Sequence, residues 1–439
     1  MSNNTSGRTS SRRDFLSTSA KVGAGAALAG AGLDLAPRKA DAAGGITLTY
    51  MGLGDNADYP GGQASVLKQF MATHPGITVN FVAAPSTSAT SYHDKLVTVL
   101  SAHDGSIDVF DSDVIWQAQW APAGWATPLD SVFPSSAQKN YAPGMIWADT
   151  IGSHIYGIPW LLDVGHLFYR QDILDAEGLK PATTWQELHD QGIILKKKYP
   201  KMVPFVACYQ AGQQLICNFM EYSWSNGGDF IDATGKVVFD SPQNLEALEM
   251  MISYVKDGIV QPGVVSMLLD TGRAIFTNGN AIYHRNWNYV MADVAVSPKV
   301  AGKVGVTLTP HFPGSPSYVC AGGWQYVVNQ YSNHLPEAIE LATFMGSPKT
   351  EVFKTLHTSW SPAYLPANSD PQVVKKFPSY PLLATQAKYE RSRSKTAFWT
   401  AMSTAAEQEL TNALIGKKTA QQALKDAQGE IESILAGNG

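Results

Sequence analysis

Residues 156–169 form the stretch that most constrains the fold: Tyr156-Gly157-Ile158-Pro159-Trp160-Leu161-Leu162-Asp163-Val164-Gly165-His166-Leu167-Phe168-Tyr169. The run is apolar and β-prone, so it predicts buried extended chain and not a surface helix. Gly157, Pro159 and Gly165 punctuate it, which suits a crossing segment better than one regular strand. Asp163 is the anomaly. A carboxylate in such a run is costly unless it is paired or faces a wet cleft. The stretch therefore predicts two lobes, with the chain passing between them and Asp163 in the cleft.

Size agrees with this reading: 439 residues exceed one simple core and suit two domains. Charged residues make up 16% of the chain and the net charge is -5, with no basic stripe or Lys/Arg-rich arm, so nucleic acid is not an expected partner. The 11 tryptophans, many clustered with Tyr and Asn, exceed what packing alone asks for.

Residues 1–42 read as an export signal outside the fold. Ser11-Arg12-Arg13-Asp14-Phe15-Leu16 is a twin-arginine signature, an Ala/Gly-rich run follows from Val22 to Leu35, and Ala40-Asp41-Ala42 fits a small-x-small cleavage site. A disordered basic tail is the plainer alternative. The run is too short to remain as a membrane span, and no Cys follows the cleavage site, so a soluble periplasmic protein is expected. Cys208, Cys217 and Cys320 are too few for a disulfide framework. A Cys208–Cys217 bridge fits an oxidising compartment, whereas three buried thiols need no special assumption. No His pair has ligand spacing, and neither a metal nor a cofactor is expected.

Along the remaining chain, Ile46–Leu53 and Ile77–Ala83 alternate as strands around a helix at 65–73, a β-loop-α-β unit that opens a parallel sheet. Ile107–Phe110 is a short buried strand leading to Asp113. Ligands of open α/β sheets sit beyond the carboxyl ends of strands, so the polar loop Asp55–Asp58 and Asp113 are placed at one cleft edge. Thr184 followed by Glu187 is a helix start, and Ser241-Pro242 another. Residues 360–381, rich in Pro, Ser and Tyr, read as irregular, and two helices end the chain.

In this order the landmarks resemble those of the extracellular solute-binding proteins of bacterial ABC importers, in particular the sugar-binding family that includes trehalose/maltose-binding proteins. They are Asp108-Val109-Phe110 with Asp113-Val114-Ile115-Trp116, Tyr156-Gly157-Ile158-Pro159, Thr184-Trp185-Gln186-Glu187-Leu188, Glu221-Tyr222, Arg285-Asn286-Trp287 and Gly322-Gly323-Trp324. Each is weak alone, and the ordered set is specific. The resemblance implies an α/β, two-lobed periplasmic-binding-protein (type II) fold with an interlobe ligand cleft that closes by hinge motion. It implies lobe 1 from 43–157 and 309–357, and lobe 2 from 158–308 and 358–439.

By the same resemblance Asp113, Asp163, Trp287 and the Gly323-Trp324 pair line the cleft, and the first loop adds a contact from Asp55, Asn56 or Asp58. Tyr289 stands beside Trp287. Relatives carry an aromatic residue where Leu161 stands, and Trp160 is the neighbouring substitute. They also carry an Arg after a Trp-x-Pro-x pattern, where Trp360-Ser361-Pro362-Ala363 is here followed by Tyr364, a stacking candidate. Carboxylates that accept hydroxyl protons and rings that lie on C–H faces are what a sugar site requires together. Each residue has a plain alternative: core tryptophans for Trp287 and Trp324, a helix cap for Asp113, an ion pair with Arg170 for Asp163.

The expected function is thus a monomeric, non-enzymatic receptor that takes a di- or oligosaccharide to an ABC permease. A polyol, sugar phosphate or other small polar solute on the same fold is the alternative. An exported glycosidase using Asp113 and Asp163 is a third reading, which would need the two carboxyls roughly 5–9.5 Å apart.

Overall fold

The computed structural model describes residues 45–53, 62–84, 89–358 and 360–437. The loop candidates Asp55, Asn56 and Asp58, and the export segment 1–42, lie outside the described residues.

In chain order the strands that set the architecture are β1 (Ile46–Gly52), β2 (Ile77–Ala83), β3 (Val109–Asp113), β4 (Ile158–Asp163), β5 (Gly165–Arg170) and β6 (Val203–Val206). They continue with β7 (Ala281–Trp287), β8 (Val304–Thr307), β9 (Val319–Cys320), β10 (Gly322–Val328) and β11 (Glu390–Arg391). The helices used below are α1 (Gln63–Thr73), α2 (Ala89–Ser101), α3 (Pro143–Asp149), α4 (Trp185–Lys198) and α5 (Gln213–Ser225). After them come α6 (Pro242–Lys256), α7 (Leu335–Met345), α8 (Pro348–Thr358), α9 (Trp399–Leu414) and α10 (Ala420–Gly437).

The two larger sheets among the described residues are ordered β2-β1-β3-β10-β4 and β8-β5-β7-β6. The first begins with the expected β-loop-α-β unit: β1 pairs in parallel with both β2 and β3. Its core gathers Leu48, Tyr50, Val66, Phe70, Tyr326 and Leu341 between sheet and helices. The second lobe is built round Trp185, stacked on Tyr222 at 3.7 Å, with α9 and α10 closing it through Trp399, Leu424 and Ile431. Local signals were obeyed where they were strong. Thr184 and Glu187 form a reciprocal capping box at the start of α4, and Ser241 caps α6 with Pro242 in its first turn.

The two sheets meet at three crossings, and their positions differ from the sequence expectation. β4 pairs with β10 inside the first sheet, while β5, one residue later, pairs with β7 in the second. The first crossing is therefore Val164, not the 157/158 boundary. The second runs through β9, and the third through β11, which pairs with β9 in parallel. Residues assigned by sequence to the second lobe after 358 instead pack on the first: Trp360 and Ala363 join its core, and Val373 and Tyr380 pack on Val352 and Leu356 of α8. The irregular reading of 360–381 is also modified, since Pro371–Lys376 and Tyr380–Gln386 are helical. Asp370 caps the first of these, accepting from Gln372 and Val373 N–H groups.

Candidate functional site

Register brings the strand ends together. β10 is antiparallel to both β3 and β4, pairing Trp324 with Asp113 and Gly322 with Asp163. The carboxyl ends of β1, β3 and β4 therefore lie at one edge of the first sheet. In the second sheet, Gly165 of β5 pairs with Trp287, so the carboxyl end of β7 abuts the same crossing. Asp113, Asp163 and Trp287 thus lie at strand carboxyl ends on either side of the crossing, the position ligands take in open α/β sheets.

Asp163 is the least satisfied group there. It is partly exposed, and no described residue hydrogen-bonds its carboxylate. Burial, then the neighbouring Asp113 charge, push its pKa up to about 7, against the pull of Arg285. The Arg170 pair considered from sequence does not form; Arg170 holds Asp172 through two hydrogen bonds of 2.7 and 2.6 Å.

Asp113 accepts from the Ile115 N–H at 3.2 Å, a local cap, and lies 3.5 Å from Nη2 of Arg393. Burial raises its pKa while Arg393 lowers it. Arg393 was not anticipated. Its guanidinium is anchored by Gln213 Oε1 of α5 and by the Ala321 carbonyl, both at 3.0 Å, and its Nε is buried without a partner. It therefore ties the third crossing to the second crossing, to the second lobe and to Asp113. No motif marks it, because 280 residues separate Arg393 from Asp113 and Glu390–Lys395 reads as a solvated charged loop.

Trp287 is 8% exposed and belongs to the second-lobe core, the plain alternative open in the sequence. A Cβ placed on Gly322 would meet Trp287 Cη2 at 3.3 Å and Asp163 Cβ at 3.1 Å, so glycine lets ring and carboxylate approach the same backbone. Beneath the ring lies the Arg285 guanidinium, 4.3 Å from its centroid. Arg285 is held by Glu221 in a fully buried bidentate pair, and Glu221 also accepts from the Cys320 N–H. Tyr289 is partly exposed, and burial, with Asp163 among the neighbouring charges, raises its pKa.

The remaining sequence candidates have packing partners of their own, Trp324 while still paired with Asp113. Trp160 is 1% exposed and faces the first-lobe core, not the cleft. Its Nε1 donates to Asp111, its ring stacks on Tyr326, and Lys354 Nζ lies 4.3 Å from its centroid. Asp111 also accepts from Tyr50 and from the Leu53 N–H, and burial lifts its pKa to about 7. Gly323 has φ +146°, and a Cβ there would meet the Leu161 carbonyl at 2.4 Å. Strand packing demands that glycine. Trp324 is partly exposed but packs against Tyr92 and Trp116 of the first lobe. Tyr364 packs on Tyr141, and no described contact links it to Asp113 or Asp163. All three cysteines are free and buried, so the Cys208–Cys217 bridge is absent.

Among the described residues no cluster of three His, Cys, Asp or Glu side chains could hold a metal ion, and no helix is long and apolar enough to cross a membrane. The profile of the bacterial extracellular solute-binding protein family matches residues 54–352. A probable ABC transporter-binding protein of Deinococcus radiodurans is 27% identical over 422 residues, covering 92% of this chain and 97% of that one. Maltose-bound MalE3 of T. maritima superposes with a TM-score of 0.83 at 28% identity, covering 89% of this chain and all of the other. A solute-binding protein of Agrobacterium radiobacter in complex with ribitol shares the fold, with a TM-score of 0.76 at 22% identity over 89% of this chain and 99% of its own.

Proposed function

We propose that this chain, which belongs to the family of bacterial extracellular solute-binding proteins, captures a di- or oligosaccharide between its lobes and hands it to an ABC permease without transforming it. The observation that carries the reading is Asp163: a partly exposed carboxylate with no described hydrogen-bond partner, beside Asp113 and against the Trp287 edge. Hydroxyl groups of a sugar would donate to Asp163 and Asp113, a C–H face would lie on Trp287, and the Arg393 guanidinium would donate to a ring or hydroxyl oxygen. Arg393 supplies from the third crossing the cation that the sequence lacks at Tyr364.

A ligand that touches Asp163 from one side and Trp287 from the other favours the closed lobes in proportion to its differential affinity for that state. The maltose of MalE3 and the ribitol of the Agrobacterium protein support a polyhydroxylated ligand, and the D. radiodurans relative supports an ABC permease as recipient. In this proposal residues 1–42 direct export by the twin-arginine route to the periplasm, where the receptor acts as a monomer.

The raised pKa of Asp163 next to Asp113 is also what a glycosidase acid would show. Arg393, anchored beside Asp113, suits binding better than a proton-shuttling pair. Thermal-shift screening against mono-, di- and oligosaccharides, polyols and amino acids tests the proposal: a sugar raises the melting temperature most, with no reducing ends released. A shift confined to amino compounds would overturn the ligand class, and released reducing ends would overturn the receptor role.

A further inference from the structure

The flank of the first lobe carries a cavity of about 560 Å³ that the cleft does not use. Its walls include Trp147 of α3, Lys395, Ser135, Gln138, Lys139 and Tyr141. Trp147 is 47% exposed, while its neighbours Met145, Ala148 and Asp149 on α3 are buried, so packing alone does not call for an indole there. Yet the ring is held. Lys395 Nζ sits 4.3 Å from the ring centroid and donates to the carbonyls of Trp147 and Thr150 at 2.9 and 2.8 Å. An exposed aromatic platform fixed in this way loses little entropy when a flat ligand covers it.

The polar wall has spare capacity. Gln138 spends its amide N–H on the Phe133 carbonyl at 2.8 Å, leaving its oxygen without a described partner, and Ser135 and Lys139 make no described side-chain hydrogen bond. No carboxylate lines the cavity, which disfavours a cationic ligand. An aromatic face, a hydroxyl, an amide oxygen and an ammonium around a space of this size match one or two pyranose rings.

We propose that this cavity is a second carbohydrate site, with Trp147 as its stacking platform. The ligand class rests on the sugar reading of the cleft; the location does not. A narrow slot lined by Val114, Ile115, Arg393, Trp147 and Lys395 adjoins the cavity. A sugar bound there rests on the crossing segment whose Arg393 reaches Asp113.

Saturation-transfer NMR on the full chain, with maltose as neutral probe and glucuronate as acidic probe, tests the proposal. Transfer to at least one probe persists in Asp163→Ala, which weakens the cleft at least about tenfold. It falls about five- to tenfold when Trp147→Ala is added, the worth of a ring stack, and recovers with Trp147→Phe. Stronger transfer to glucuronate assigns an acidic sugar through Lys139, and stronger transfer to maltose a neutral one. Equal transfer with and without Trp147 in the Asp163→Ala background, or none to either probe, overturns the second site. Trp147-dependent transfer that is the same in the parent and in Asp163→Ala would sink the cleft reading and leave this site standing.

Discussion

Asp111 and Asp113 stand two residues apart on one strand and meet opposite conditions. Asp111 is fully buried and accepts from Tyr50, Leu53 and Trp160, with Lys354 close enough to lower its pKa. Asp113, at the strand end, has a local cap and one long contact to Arg393, and its neighbour Asp163 has no described partner at all. A buried carboxylate whose lone pairs are filled from within the protein builds architecture. One left short at a cleft edge is set to receive donors from outside. The comparison separates the wiring of the first lobe from the proposed ligand site, although both look alike as acids in apolar sequence.

The largest effect belongs to the wired region. Lys354 is buried, ion-paired to Glu351 at 2.7 Å and donating to the Tyr326 hydroxyl at 3.0 Å. Lys354→Met strands Glu351 and Asp111 in the core, and urea unfolding should show a loss of about 3–5 kcal/mol. If the variant is as stable as the parent, Asp111 is not held by this network. At the cleft, Arg393→Lys keeps the charge but loses the planar fork that spans Gln213, Ala321 and Asp113. Calorimetric titration with the sugar found by screening should show roughly tenfold weaker binding, about 1.4 kcal/mol.

A smaller effect follows pH. Asp163 has a folded pKa raised from 3.8 to about 7, so the folded state holds its proton more tightly than the unfolded chain. Its contribution to the stability of the free protein is fully present below the unfolded value and is lost as pH rises through about 7. Ligand hydroxyls need the ionised acceptor, so affinity should rise over that same upper range. Melting curves and titrations between pH 5 and about 8 would then diverge, free stability falling as affinity grows. Parallel trends would remove Asp163 from the contact.

Much of the scaffold was legible because its signals are local. β1 and β2 read by alternation, α4 by Thr184 and Glu187, and α6 by Ser241-Pro242. Trp160 was offered only as the neighbouring substitute for an aromatic at Leu161, and in a strand the next residue points to the opposite face, here into the first-lobe core. The 157/158 boundary came from the resemblance, whereas the pairing changes sheet at Val164. Arg393 was invisible because its partners Asp113, Gln213 and Ala321 come from three distant segments, and only tertiary structure assembles them. Asp163 was legible as an unexplained charge in an apolar run.

The central claim is that Asp163 serves ligand and not fold. Paired calorimetry on Asp163→Ala and the parent chain, recording unfolding without ligand and titration with the best sugar, tests it most directly. The free variant should melt within a few degrees of the parent or slightly above it, while affinity falls by at least about tenfold, as expected for losing a charge-assisted hydrogen bond. A variant that unfolds far below the parent, or that binds the sugar as the parent does, would contradict the claim.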